Sequence, residues 1–345
     1  MRVSEFDYHL PTGLIAQKAA EPRDHARLMV LERATDGIEH RHFYDLPEYL
    51  GRRDVLVIND TKVLPYRLSG QRWTGGRLDG LILERLGENR ARALLKSHGR
   101  LTPGETVLFF DQRLRAKLLE KDDEGVWTME FETPGSERLV EEFGRAPLPP
   151  YIRRAGEDNE IIDYDRRRYQ TVFACVPGAV AAPTAGMHFT DALLERIASG
   201  GTEIVHVTLH VGLGTFKPVK AQNIENHRMH AERYELSEEA GASLNAALAA
   251  GKRIVAVGTT SVRVLEHCAR CGRFQAGTGS TDLFICPGYQ FRLVRALVTN
   301  FHLPKSTLLM LVAAFAGTER VLRAYEVAVK ERYRFYSYGD AMLIL

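Results

Sequence analysis

Between Leu64 and Phe143 the chain falls into five short stretches that alternate apolar and polar residues: Leu78–Leu83, Ala91–Lys96, Thr106–Phe110, Leu114–Leu119 and Val126–Glu132. Turn signals separate them, at Gly75-Gly76, Gly87-Glu88-Asn89, Pro103-Gly104 and Asp122-Asp123. Period-two alternation gives each stretch one face for a core and one for water, so the run predicts a small antiparallel barrel or sandwich. The texture changes at Ala146-Pro147-Leu148-Pro149-Pro150. Prolines fix the backbone and cannot donate to a ladder, which makes this stretch a domain boundary.

Beyond it, helix and strand patterns alternate. Thr190 caps a helix through Ser199, and a strand follows over Glu203–Val211. Ser237 opens a helix to Ala250, closed by Gly251. Arg253–Val257 and Leu293–Thr299 read as strands, with Thr260 or Ser261 capping the helix after the first. Helices start at Ser306 and Thr318, and Ala341–Leu345 ends the chain as a buried strand. This order predicts an α/β domain with a largely parallel sheet. Val55–Ile58 reads as a strand of the same domain. The expected division is an α/β catalytic domain over 1–63 and 146–345, with 64–145 as an inserted β-barrel domain.

Charge excludes little. Across 345 residues, 46 Lys and Arg against 44 Asp and Glu leave +2, which rules out a nucleic-acid coating protein but allows a local patch. No stretch approaches the ~18 apolar residues of a membrane span, and the N-terminus lacks a signal-peptide pattern. Four cysteines make no disulfide framework. A cytoplasmic protein that meets no membrane is expected. Cys268 and Cys271 form a lone C-x-x-C at a helix end, where the dipole does not activate a thiol. His227, His230 and Glu232 suggest a metal, but His227-x-x-His230 is too loose without a third defined ligand and a second shell, so no metal is expected. No C-x-x-x-C-x-x-C run is present to hold an iron–sulfur cluster.

The chemistry concentrates at strand ends. In 202–219, alternation sets Val205, Val207, Leu209 and Val211 on one face and His206, Thr208 and His210 on the other. A polar stripe running into Gly212 and Gly214-Thr215 predicts a cavity wall at the strand's C-terminal end, where α/β folds bind ligands; a solvent-facing edge is the plainer alternative. Gly258 with Thr259, Thr260 and Ser261 places hydroxyls beside the free N–H groups of a helix start, which suits a carboxylate or ribose hydroxyls. His188 precedes a helix cap, and Thr299, Asn300 and His302 follow an apolar strand. These junctions converge on one rim by fold logic. Arg153-Arg154 and Arg166-Arg167-Arg168, the latter followed by Tyr169-Gln170, suit phosphate contact and base stacking, or equally a solvated charge run.

Taken together, the motifs resemble the S-adenosylmethionine:tRNA ribosyltransferase-isomerases of queuosine biosynthesis. The blocks include 14-LIAQ-17, 22-PRDHARL-28, 59-NDTKVLPYRL-68, 149-PPYIRR-154, 168-RYQTVFA-174, 179-AVAAPTAGMHF-189, 206-HVTLHVGLGTFKPV-219, 230-HAERYEL-236, 256-AVGTTSVRVLE-266, 282-DLFICPGY-289, 297-LVTNFHLPKSTLLMLVAAFAG-317 and 332-RYRFYSYGDAMLI-344. Arg295 and the extra Arg166-Arg167 depart from the pattern. The resemblance implies an α/β-barrel-like catalytic domain with an inserted β-barrel. It also implies transfer of the ribosyl part of S-adenosylmethionine to 7-aminomethyl-7-deazaguanine in a tRNA anticodon, giving epoxyqueuosine, adenine and methionine. A monomer is expected.

That chemistry needs a neutral base for the acidified C–H beside the sulfonium, which suits histidine. His188 and His210 lead as candidates, with His302 and Asp340 as alternates. Gly212, Gly214, Thr215, Gly258, Thr259, Thr260, Ser261, Thr299 and Asn300 are the expected S-adenosylmethionine contacts. Asp60, Lys62, Arg67, Arg153, Arg168, Tyr169 and Gln170 are the expected tRNA contacts. A class I methyltransferase is a rival, but 212-GLGTFKPV-219 runs into Lys217-Pro218, which is no helix start. A non-catalytic tRNA-binding module would not need the polar stripe.

Overall fold

The computed structural model describes residues 1–154, 158–212, 219 and 221–345. The chain opens with the hairpin β1 (Arg27–Glu32) and β2 (Gly37–His42), then β3 (Asp54–Asn59) and the short β4 (Thr61–Val63). Six strands follow: β5 (Arg67–Arg72), β6 (Arg77–Arg85), β7 (Arg90–Ser97), β8 (Thr106–Phe109), β9 (Leu114–Lys121) and β10 (Val126–Phe131). They close on themselves in the order β10-β7-β6-β5-β8-β9, every pair antiparallel. The inward residues, among them Leu78, Ile82, Ala93, Phe109, Leu118 and Met129, fill a core separate from the rest of the molecule. The five alternating stretches are all strands. Two elements were illegible: β5, whose pattern merges into the loop before it, and α1 (Ser136–Phe143), entered through Gly135 at φ 69°.

After α2 (Asn159–Arg168) and β11 (Val176–Ala179), which pairs with β4, the α/β part continues. It comprises α3 (Asp191–Ser199), β12 (Glu203–Leu209), β13 (Glu232–Leu236), α4 (Glu238–Ala249), β14 (Arg253–Val257) and α5 (Gly258–Cys268). The short hairpin β15 (Ala269–Arg270) and β16 (Arg273–Phe274) turns through Cys271, followed by β17 (Gly277–Thr281), β18 (Val294–Asn300), α6 (Thr307–Ala316), α7 (Thr318–Lys330) and β19 (Ala341–Ile344). Nine of these strands form one sheet, ordered β17-β13-β12-β3-β14-β18-β19-β1-β2.

The sheet is mixed. Its centre, β12-β3-β14-β18, is parallel, and so is the pair β19-β1, while both flanks also carry antiparallel pairs, so half of the eight pairings are parallel. Parallel neighbours need a long crossover; β1 and β2, joined by a tight turn, do not have one. The central strand β3 is buried at all six positions, sending Val55 and Val57 to one layer and Leu56 and Ile58 to the other.

Thr190, Ser237 and Ser306 cap their helices, their hydroxyls accepting from Leu193, Ala240 and Leu309 N–H. The helix after β14 differs from expectation. Gly258, at φ 86°, turns the strand directly into α5, so Thr260 and Ser261 lie inside the first turn and neither caps it. Ser261 Oγ instead donates back to Val257 O at 2.7 Å, as buried helical serines do.

Candidate active site

The C-terminal ends of β12, β14 and β18 come together with the segment after β11. Val211, Gly258-Thr259-Thr260, Thr299, Asn300, His302 and Ala182–Ala185 line one small cavity of about 20 Å³. Strand-end placement is where an open α/β sheet binds ligands, and four of the expected junctions meet here. Asn59, which sequence reasoning passed over, locks two of them: its Oδ1 accepts from Thr61 N and Leu209 N, and its Nδ2 donates to Leu209 O at 3.0 Å. Val211 O accepts from Val180 and Ala181 N–H, tying the 179–190 segment to the end of β12.

Two buried polar atoms of this cavity have no partner among the described residues, Thr260 Oγ1 and Asn300 Oδ1. A buried polar group left unpaired costs roughly 1–3 kcal/mol. Such orphans on residues that line one cavity mark places for ligand atoms. The Asn300 amide nitrogen is fully used: it donates to His188 Nε2 at 3.0 Å, Tyr336 O at 3.2 Å and Asp340 O at 3.4 Å.

The histidines differ in setting. Burial, reinforced by Arg334, Arg23 and Arg168, pulls His188 down to about 3. Burial alone brings His302 to about 3, and its Nε2 is paired with Thr299 Oγ1 at 2.7 Å. Both rings are therefore neutral near pH 7. His210 is half-buried just outside the cavity, with Nδ1 2.8 Å from Thr61 Oγ1. Its pKa is lowered, mainly by burial and then by Arg233. Gly178 lies against this ring: a Cβ there would come within 2.7 Å of the imidazole. His206 stays exposed, 3.8 Å from Asp60, which also accepts from Thr208 Oγ1 at 2.7 Å. None of His206, Thr208 and His210 lines the small cavity; the stripe is joined instead to Asp60 and Thr61.

Gly212 N donates to Glu232 Oε1 at 2.7 Å, and the other carboxylate oxygen of Glu232 pairs with the buried Arg263 of α5. Arg263 also donates to Leu283 O and Thr281 O, each at 3.0 Å. This buried pair was not foreseen, because β13 and α5 both carry several polar residues and nothing in their sequences singles out Glu232 or Arg263. Gly214 and Thr215 lie outside the described residues. Among the described residues no cluster of His, Cys, Asp and Glu suits a metal, and no helix is long and apolar enough to cross a membrane.

Several candidate residues are engaged by the fold itself. The Asp340 carboxylate accepts from Arg27 N at 3.0 Å, Arg334 N at 2.7 Å and the Arg334 guanidinium at 3.2 Å, so its lone pairs hold backbone in place. Ser261 spends its hydroxyl inside α5. Arg168 is tied to Ala20 O and Glu21. Tyr169 is buried, edge-on to Tyr338, so its ring offers no face for stacking. Gln170 makes two bonds of 3.1 Å to the Val63 backbone. Gln170 thereby ties the end of α2 to β4, and Arg168 ties it to the segment before β1. Lys62, Arg67 and Arg153 are exposed.

A family model described as queuosine biosynthesis protein matches residues 3–344. The chain belongs to this family. Among its relatives, the S-adenosylmethionine:tRNA ribosyltransferase-isomerase of Symbiobacterium thermophilum is 53% identical over 348 residues, covering all of both chains. That of Moorella thermoacetica is 52% identical, again over the whole of both. A crystal structure of the S-adenosylmethionine tRNA ribosyltransferase from Thermotoga maritima superimposes with a TM-score of 0.57 at 41% identity, covering 99% of this chain and 100% of that one. As a queuosine biosynthesis protein, the chain keeps its junction loops, not its inserted barrel, around the cavity.

Proposed function

We propose that this protein transfers and isomerises the ribosyl moiety of S-adenosylmethionine onto the aminomethyl group of 7-aminomethyl-7-deazaguanine in a tRNA anticodon. Epoxyqueuosine forms, and adenine and methionine leave. One observation carries the reading: orphaned hydroxyl and amide oxygens, Thr260 Oγ1 and Asn300 Oδ1, belong to one strand-end cavity beside uncharged histidines. A sulfonium substrate favours such surroundings, since neutral imidazoles do not repel a cation. Thr259, Thr260, Thr299, Asn300 and the Gly258 turn contact S-adenosylmethionine, together with the loop from Gly212 through Gly214 and Thr215.

His210 is the base. In the tautomer whose Nδ1–H donates to Thr61 Oγ1, 2.8 Å away, Nε2 keeps a lone pair for the proton beside the sulfonium. The His188 Nε2 lone pair is already taken by Asn300, so His188 positions the amide instead. The chemistry calls on neither metal nor iron–sulfur cluster. The protein acts as a cytoplasmic monomer, with the α/β catalytic domain spanning 1–63 and 146–345 and the inserted domain 64–145.

The test is to incubate the protein with S-adenosylmethionine and tRNA carrying the deazaguanine, then weigh the digested nucleosides. Free adenine with epoxyqueuosine is expected. S-adenosylhomocysteine in its place makes the protein a methyltransferase and overturns the reading.

A further inference from the structure

A second, larger cleft of about 580 Å³ lies between the outside of the barrel and the segment 147–152. Its barrel wall includes Leu81 and Leu94, which face each other directly across β6 and β7. Both sit on the outward face, since the inward positions of these strands are Leu78, Ile82, Ala91 and Ala93. Outward barrel residues normally meet water and are polar, so an apolar cross-strand pair there needs an explanation. Leu148, Pro149, Pro150 and Ile152 form the opposite wall. The result is a slot with two flat apolar sides.

Its rim is cationic. Arg67 and Lys96 line the cleft, and Arg77 lines an adjoining groove that shares Arg67. All three are exposed, and none has an ion-pair partner among the described residues. Asp79 is the acidic residue between them, while Asp165 is neutralised by two bonds from Arg154, at 2.6 and 2.7 Å. The cleft also adjoins the candidate active site, because Ala181 lines the cleft and Ala182, the next residue, lines the small cavity.

We propose that this cleft seats an unstacked base of a single-stranded RNA loop, with the flanking phosphates on Arg67, Arg77 and Lys96. An apolar slot accepts the face of any splayed base, and a cationic rim holds its backbone. The inference rests on the proposed function, which supplies an RNA as substrate. It adds where the loop lies and assigns the outer wall of the barrel to it.

The experiment compares the parent with Arg67→Ala/Arg77→Ala, with Leu81→Ser/Leu94→Ser, and with Lys117→Ala on the far strand β9 as a control. For each, KM for tRNA, KM for S-adenosylmethionine and the salt dependence of anticodon stem-loop binding are measured, with a thermal melt to establish folding. The arginine pair should raise KM for tRNA about tenfold or more. It should also reduce the log–log salt slope by about 1.4, because each of two phosphates of a single strand then keeps its counterion on binding. The leucine pair should raise KM for tRNA and leave the slope alone. KM for S-adenosylmethionine should not move in any variant. Folded arginine and leucine variants that keep the parent's KM for tRNA and its slope overturn the proposal. So does a change from dimer to monomer with RNA binding intact, which assigns the cleft to a second copy. A parent protein that binds the stem-loop in this manner yet releases no adenine refutes the proposed function and leaves the cleft assignment standing.

Discussion

His188 and His302 show how a buried residue converts position into pH dependence. Both are held neutral, with pKa near 3 against 6.5 unfolded. The unfolded chain therefore binds protons that the folded one refuses, and stability falls as pH drops from 6.5 toward 3. Each histidine should cost about 2 kcal/mol between pH 7.5 and 5, at 1.36 kcal/mol per pH unit below 6.5. Urea unfolding at the two pH values measures this, and His302→Gln should show about half the histidine-dependent loss. His210 is lowered too, by burial first, so its basic form persists below pH 6.5. Turnover should stay flat through neutrality and fall only on the acid side. His210→Ala should lower kcat by about 10²–10⁴ and abolish isotope exchange at the sulfonium-adjacent carbon. His188→Ala should retain that exchange. Full exchange in the His210 variant would remove that residue as base.

At the scale of elements, the Arg263–Glu232 pair joins α5 to β13 and, through Gly212 N, to the loop leaving β12. Both side chains are almost fully buried. Removing Arg263 takes away the buried counter-charge of Glu232, so Arg263→Met should destabilise by about 3–5 kcal/mol. Glu232→Met on top of it should recover much of that loss, because an apolar pair replaces a stranded charge. Denaturant midpoints of the two variants decide it; a double variant no better than the single one would make the loss one of packing. The sequence pattern placed Arg263 on a helix but predicted no strand at Glu232 and could not pair the two, which stand 31 residues apart. The start of α5 was misread for a related reason. A hydroxyl after a glycine looks like a cap, yet a left-handed Gly258 lets the helix begin at once.

For the molecule as a whole, the barrel has a core of its own, built from residues between Leu68 and Val140. The segment 64–145 expressed alone should give a cooperative thermal transition and a β-type circular dichroism spectrum; a disordered spectrum would reject the proposed boundary. Sequence alone determined the periodic things: the alternating strands of the barrel, the proline boundary, three helix caps and the glycine- and hydroxyl-bearing strand ends. Those depend on neighbours a few residues away, so local chemistry suffices. Only tertiary structure decided which polar residues are engaged by the fold and which keep unpaired oxygens among the described residues. Asp340, Ser261, Arg168, Tyr169 and Gln170 carry the right chemistry but are engaged by backbone or buried by distant segments. Among the described residues, Thr260 and Asn300 have oxygens left unsatisfied at a cavity where three strands end. Whether a polar group is satisfied depends on what folding brings beside it, and that is not written along the chain.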